Sequence, residues 1–522
     1  MKKIISMLLV LTMVLAMVGC GSKDKSTNNT TDNSSKNNVT VAPEASSDSE
    51  GTDGAKSDEI YNMVMEIINY GYDDKDIKMV EDAVNAITEP AIGVHVTFLT
   101  VPIANMSTKL ELMVAGGEQM DLVQTGLLTT PNNLAASGLL TPLTDLLAKS
   151  EVLTSLAGDL LGACTVQGEI YAYPANLYPG VNVSFIYDSD LAAQYNIKMP
   201  ERITSEADWE YIFDQVLASG MPQYGITTGD GVNVEWTLGA DYDALGDSAY
   251  NSYGVVMGME TGTKVENWYA TETYKKQCEM KRKWYEKGYV LPDSISNGYT
   301  VRDSMSQGTV FGYVTQIGTG TSVAYWSAQT GKTLASIPIS DVSITASGVV
   351  NLSWGISSTC ERPEKVIEFL ELLYTDAELA NLISYGIEGT HYITQEGSKI
   401  IKYPDGIDSM SVGYGSFIGP FGDSTQIYYR EPLTDQFVTT IPNFGLGKAK
   451  VSQYMGYTFD TSKVQTELTA VNAVISQYAP SLACGIVDTE KTISEFLSAL
   501  TTAGIDKVIA ENQAQLDAFI AK

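Results

Sequence analysis

Met120-Asp121-Leu122-Val123-Gln124-Thr125-Gly126 is an apolar-rich run that closes on a glycine, and the segments before it decide the fold. Ser107–Ala115 reads as a short helix ended by Gly116-Gly117, and Gly93–Val101 reads as a strand. Before these, Asp73–Thr88 carries Ile77, Val80, Val84 and Ile87 at helical spacings of three and four, with Pro90 as the stop. Tyr61–Tyr70 is a first strand. The order is therefore β-α-β-α-β, the pattern of an α/β lobe with parallel strands, whose ligands sit beyond the carboxyl ends of those strands. Asp121, Gln124 and Thr125 lie near a strand end. Asp121 is the leading polar candidate for a binding site, with a plain strand-end cap as the competing role.

The amino terminus has a different character. Lys2 and Lys3 precede an apolar run from Ile4 to Val18, too short for a comfortable membrane span, and Met17-Val18-Gly19-Cys20 ends it, so residues 1–19 read as a secretory signal. A single Cys directly after a small residue resembles the lipobox of bacterial lipoproteins, with Met17 where Leu is usual. The resemblance implies cleavage before Cys20, a diacylglycerol on its sulfur, and a protein held by acyl chains to the outer face of the cell membrane. Residues 21–58 are mostly Ser, Thr, Asn, Asp, Gly and Lys, so 20–58 is expected to be a lipidated, disordered linker. As a flexible coil it would reach about 35 Å.

Composition narrows the remaining function classes. A hydrophobic share of 44% in 522 residues supports at least two lobes with sizeable cores. Lys plus Arg number 32 against 63 Asp plus Glu, a formal charge of −31 that repels phosphate backbones and argues against a nucleic-acid partner. Beyond Cys20 stand Cys164, Cys278, Cys360 and Cys484, widely spaced and without a CxxC pair. They allow three pairings, and buried thiols are the favoured reading.

Several landmarks follow in order. They are Gly138-Leu139-Leu140-Thr141-Pro142-Leu143-Thr144-Asp145-Leu146-Leu147, then Gly168-Glu169-Ile170-Tyr171-Ala172-Tyr173-Pro174, then Ile186-Tyr187-Asp188 with Tyr195-Asn196-Ile197 and Pro200. Later come Ser353-Trp354-Gly355-Ile356-Ser357-Ser358 and, from Pro363, a helix with Val366, Ile367, Phe369, Leu370 and Leu373, and then Tyr385-Gly386-Ile387-Glu388-Gly389-Thr390-His391-Tyr392. Together they resemble family 1 extracellular solute-binding proteins, the substrate-capturing lipoproteins of ABC importers, chiefly for oligosaccharides. Phe459-Asp460-Thr461-Ser462, a helix with Val464, Leu468, Val471, Ile475, Tyr478 and Leu482, and the closing segment from Ala503 to Phe519 resemble a C-terminal extension of one subgroup, the domain of unknown function numbered 3502. The resemblance implies an α/β, two-lobed periplasmic-binding-protein-like fold, type II, of the larger sugar-binding members, with a helical C-terminal extension.

On that basis the hinge is expected near Pro174–Val183. The N-terminal lobe would comprise 59–177 plus about 305–360, the C-terminal lobe 178–304 plus about 361–424, and the extension 425–522, packed on the lobes. Thr309–Val314 and Thr333–Ile339 are expected to return to the first lobe, with Tyr325-Trp326 in a loop between them. In the second lobe, Ser205-Glu206-Ala207-Asp208 is a capping-box pattern that opens a helix ending at Gly220, with Trp209 and Phe213 facing the core. A second helix runs from about Glu272 to Lys287. Between the two, Gly225–Gly262, rich in Gly, Asp and Tyr, suits loops lining a cleft.

Catalytic constellations are missing from the pattern. The two histidines, His95 and His391, sit in no HExxH and in no cluster with zinc-ligand spacing. No GxSxG or GxGxxG occurs, and Trp326 occupies the glycine position that Gly331-Lys332-Thr333 would need for a P-loop. Asp241–Asp247 does not match an EF-hand loop. A glycosidase needs only two suitably spaced carboxylates, so a surface glycoside hydrolase stays open. Six Trp and thirty Tyr suit sugar recognition, because a pyranose packs its apolar face on an aromatic ring while its hydroxyls bond to Asp, Asn, Gln and Glu. Trp209, Trp268 and Trp284 read as core.

The expected ligand site therefore comprises Asp121, Gln124, Tyr173, Trp236, Tyr325, Trp326 and Trp354, with lipidation at Cys20 and neither metal nor cofactor. The expected function is non-catalytic capture of a neutral oligosaccharide by a monomeric, lipid-anchored protein that closes about its hinge and delivers the ligand to an ABC permease. Peptide or acidic-sugar binding and an adhesive surface protein are the alternatives.

Overall fold

The computed structural model describes residues 60–521, apart from 70, 227–236, 240, 248, 297, 410 and 416–420. Cys20 and Trp236 lie outside the described residues. The first lobe begins with β1 (Tyr61–Ile68), α1 (Asp74–Ile92), β2 (Val94–Val101), α2 (Met106–Gly116) and β3 (Leu122–Thr125). Both neighbours of β1 run parallel to it. The helix α1 passes through Pro90 and stops at Gly93, where expectation had put its end before the proline. Pro90 is exposed in the last turn, so its missing N–H costs little there, and left-handed Gly93 (φ 64°) terminates the helix.

The chain then supplies β4 (Ala172–Pro174) and crosses to β5 (Val181–Asp188), α3 (Glu206–Ala218), β6 (Tyr224–Ile226) and α4 (Glu272–Glu286). The Ser205/Asp208 capping box forms, and Trp209 stacks on Phe213 at 5.3 Å within the second-lobe core. Next come β7 (Val310–Gly318), α5 (Val323–Thr330), β8 (Leu334–Pro338) and β9 (Ser343–Ile344). The strands β7 and β8 do not return to the first lobe: both pair antiparallel with β5, from Gly312↔Tyr187 to Gly318↔Val181 and from Leu334↔Asp188 to Pro338↔Ser184. Local pattern marks a strand but carries no information on its partner, so pairing with β5 and not spacing places these two strands in the second lobe.

The second crossing leads to β10 (Ser353–Ile356), which completes a first-lobe sheet of order β2-β1-β3-β10-β4. The helix α6 (Pro363–Thr375) and the chain as far as Ile441 join the same hydrophobic core. The described residues of 361–424 thus pack in the first lobe, not the second, and so does the start of the segment expected to be extension. The reason is the apolar face Val366, Ile367, Phe369, Leu370 and Leu373, which is buried in that core. A third crossing brings β11 (Lys450–Val451) beside β9. Three backbone bonds tie the crossings together: Ala175 N to Leu352 O (3.0 Å), Gly180 N to Phe444 O (2.8 Å) and Lys450 N to Val342 O (2.9 Å).

The C-terminal helices α7 (Gln465–Ala483), α8 (Thr489–Ala503) and α9 (Ile505–Ile520) pack on the second lobe. Val471, Ile475 and Leu482 share a core with Trp268, Tyr274 and Phe496. Among the described residues no helix is long and apolar enough to cross a membrane.

Candidate ligand cleft

A cleft of about 830 Å³ opens where the two lobes meet. Leu127, just beyond β3, lines it from the first lobe, together with Asn176, Asn351 and Leu352 from the crossings. Val181 and Gln316, with Thr319 just past the end of β7, face it from the central strands of the second lobe, and Asp241, Tyr242 and Asp243 come from the segment before α4, where Tyr242 and Asp243 form a short strand paired with Val256 and Met257. The remaining wall is rich in hydroxyls: Thr321, Ser340, Ser343, Thr345 and Ser347.

Asn176 sits at the first crossing. Its Nδ2 donates to Thr319 Oγ1 (3.0 Å) and Tyr178 O (3.2 Å), linking the crossing to the end of β7. Tyr242 is the one aromatic among the described lining residues, and its ring stacks on buried Trp268 at 4.8 Å. Asp243 is buried with Oδ1 accepting from Leu245 N (2.7 Å), and burial raises its carboxyl above the usual range. Asp341 binds two cations, Arg202 Nη2 at 2.8 Å and Lys450 Nζ at 3.3 Å. The hydrogen bonds from Lys450 and Arg202 hold its carboxyl below the usual range. This wall offers donors and acceptors in quantity with its cations already neutralised.

Most of the residues expected in the site lie elsewhere. Asp121 stands at the amino end of β3, away from the carboxyl end that borders Leu127 and the cleft, fully buried beneath hydrogen bonds from Tyr61 Oη (2.7 Å), Val64 N (2.7 Å) and Gln119 Nε2 (2.8 Å). Tyr173 and Trp354 lie in adjacent strands at the centre of the first lobe. Tyr173 Oη donates to Leu153 O (3.1 Å), and Trp354 packs on Phe421 at 5.0 Å. Helices and loops cover the strands that carry them, so large aromatics there are interior. Tyr325 and Trp326 are on α5, a helix capped by Ser322 rather than a loop, and Trp326 packs edge-on against Tyr313 at 6.0 Å. Gln124 alone borders a second, small cavity at the carboxyl end of β3.

That small cavity also holds a residue the sequence did not single out. Glu66, near the carboxyl end of β1, is buried with Oε1 lacking a hydrogen-bond partner. Burial pushes its carboxyl up to about 8, partly offset by the Gln124 backbone N–H. His391, lowered by burial, accepts from Ile387 N at 2.8 Å, and Cys164, Cys278, Cys360 and Cys484 carry no disulfide. Among the described residues no group of His, Cys, Asp and Glu could hold a metal ion.

The model of a family described as bacterial extracellular solute-binding protein matches residues 80–380, more than half of the chain. The chain belongs to that family. Like other bacterial extracellular solute-binding proteins, it is a two-lobed α/β molecule with a cleft between the lobes. The domain of unknown function DUF3502 matches residues 453–521, the C-terminal helices. A carbohydrate ABC transporter substrate-binding protein of Streptococcus pneumoniae is 26% identical over 451 residues, 84% of this chain and 87% of that one. The crystal structure of the N-glycan transport solute binding protein from the same organism superposes with a TM-score of 0.74 at 24% identity, over 88% of this chain and 99% of that one. A second structure of that protein, in complex with Man5GlcNAc, gives 0.60 at 23% identity over 88% and 99%. An HMO binding ABC-transporter associated solute binding protein from Bifidobacterium longum infantis gives 0.58 at 13% identity over 89% and 99%.

Proposed function

We propose that this solute-binding protein captures a neutral oligosaccharide between its lobes and delivers it to the membrane permease of an ABC importer. One observation carries the reading: an interlobe cleft of about 830 Å³ whose wall sets hydroxyl, amide and carboxylate side chains among aliphatic residues and glycines. That volume lies in the range of small-ligand sites, about 300–1,000 Å³. Neutral, hydroxyl-rich ligands suit it, because Arg202 and Lys450 are already engaged by Asp341 and the chain carries a formal charge of −31. A micromolar affinity corresponds to about 8 kcal/mol, within reach of one aromatic platform and a set of hydrogen bonds. Ligand touching both lobes favours the closed state, which is the form that docks on the permease. No step of this cycle makes or breaks a covalent bond. A lipid on Cys20 keeps the monomer at the membrane while the linker lets the lobes reach the permease.

A thermal-shift screen of neutral oligosaccharides, acidic oligosaccharides and peptides tests the reading. A rise in Tm with neutral glycans, Man5GlcNAc among them, is the expected result, and mass spectrometry of the membrane-extracted protein should find Cys20 acylated. Stabilisation by peptides alone, or by no member of the panel, would overturn it; release of reducing ends from the glycans would move the assignment to a glycoside hydrolase.

A further inference from the structure

Glu66 is an acid in an apolar layer. Along β1 it lies between Val64 and Ile68, whose side chains pack with Leu110 and Met106 of α2, so the carboxyl is on the sheet face that α2 covers. The residue is 1% exposed, and Oε1 meets no donor. Beside it is a cavity of about 10 Å³, walled by Met106, Ser107 and Leu110 and by the loop that follows β3. That is the room one water-sized oxygen needs.

The loop ties this cavity to the ligand site, for Leu127 lines both the cavity and the interlobe cleft. Its shape is held from behind: Gly126 N donates to Thr129 O at 2.9 Å, and Ser107 Oγ pairs with Thr129 Oγ1 at 2.6 Å. Gly126 has φ +102°, and a Cβ there would lie 1.9 Å from Val350 O, so only glycine fits. A buried carboxyl with one oxygen left without a donor costs stability that a Leu or Met would not. The position is at the carboxyl ends of parallel strands, where ligands of α/β lobes bind.

We infer that Glu66 is a ligand-recognising residue, whose carboxyl takes one hydroxyl oxygen in this pocket: a water before binding, a sugar hydroxyl once the cleft is filled. The inference rests on the oligosaccharide reading. A protonated carboxyl offers one donor and one acceptor to the same small group, which matches a hydroxyl. Analogues without that hydroxyl would leave the buried acid unpaired and be rejected.

The test uses the full chain, two variants and Man5GlcNAc as the probe. Glu66→Met fills the space without the polar group and should weaken calorimetric binding by about tenfold. Glu66→Gln keeps a donor and an acceptor and should bind within about twofold of wild type. Met binding as tightly as wild type, or Gln as weakly as Met, overturns the inference. If wild type binds no glycan, the oligosaccharide reading fails, and a high-resolution crystal structure then decides separately. An ordered oxygen within hydrogen-bond distance of Glu66 Oε1 supports a hydroxyl-holding pocket, and a dry pocket overturns it.

Discussion

Asp121 and Glu66 are two buried carboxyls on neighbouring strands of one sheet, and they stand at opposite ends of it. Asp121, at the amino end of β3, accepts from a phenol, a backbone amide and a side-chain amide. Glu66, toward the carboxyl end of β1, leaves Oε1 with no donor beside a cavity. The contrast separates structure from function. A buried acid whose bonds are met inside the fold is a tie between strands; one whose bond is left open at the ligand end awaits a partner from outside.

Removing the satisfied acid is expected to have the largest effect. Asp121→Ala strands the Val64 N–H in the core and removes the carboxylate acceptor of the Tyr61 hydroxyl, and urea unfolding should show a loss of about 4 kcal/mol. A loss below about 1 kcal/mol would erase the distinction from a surface residue.

Glu66 should behave in the opposite sense. Its proton is held more tightly in the folded protein, up to about 8 against an ordinary 4.5, so the folded state binds more protons than the unfolded state across that window. Stability from this group is full below the lower value and declines as pH rises through the window. Glu66→Gln should therefore match wild type near pH 4 and exceed it by about 3 kcal/mol near pH 7, read from denaturation curves at several pH values. Parallel pH profiles would mean that Glu66 ionises freely and would break the comparison from its other side.

The smallest effect sharpens the first. Tyr61→Phe removes one of the donors to Asp121 and should cost about 1 kcal/mol, with ligand affinity unchanged. A change in affinity would bring the amino end of the sheet back into the site.

Much of the architecture was legible along the chain. Hydrophobic spacing placed β1 to β3 and α1, and the Ser205/Asp208 capping box marked the start of α3. The segment between α3 and α4 was rightly read as cleft-lining, and it supplies Asp241, Tyr242 and Asp243. Of the residues expected in the site, none of those described lines the cleft. Trp354, Tyr173 and Trp326 drew attention as aromatics near the hinge or in a Gly-rich stretch, yet strand pairing and helix packing turn them inward. Asn176 carried a signal that went unused, for it lies two residues past the Tyr173-Pro174 landmark where the hinge was expected.

By itself the sequence determined the class of secondary structure, the order of elements and the absence of a recognisable catalytic motif, because periodicity, caps and motifs are local. Tertiary structure alone decided which lobe β7, β8 and α6 join, that the crossings between the lobes number three, and which strand ends border the cleft. Those outcomes depend on pairing between residues more than a hundred positions apart, such as Trp354 with Tyr173, and strand pattern is the same whichever partner is chosen. The same physics separates Asp121 from Glu66: one acid precedes a strand and the other lies within one, and only the fold shows whose oxygen is left without a donor.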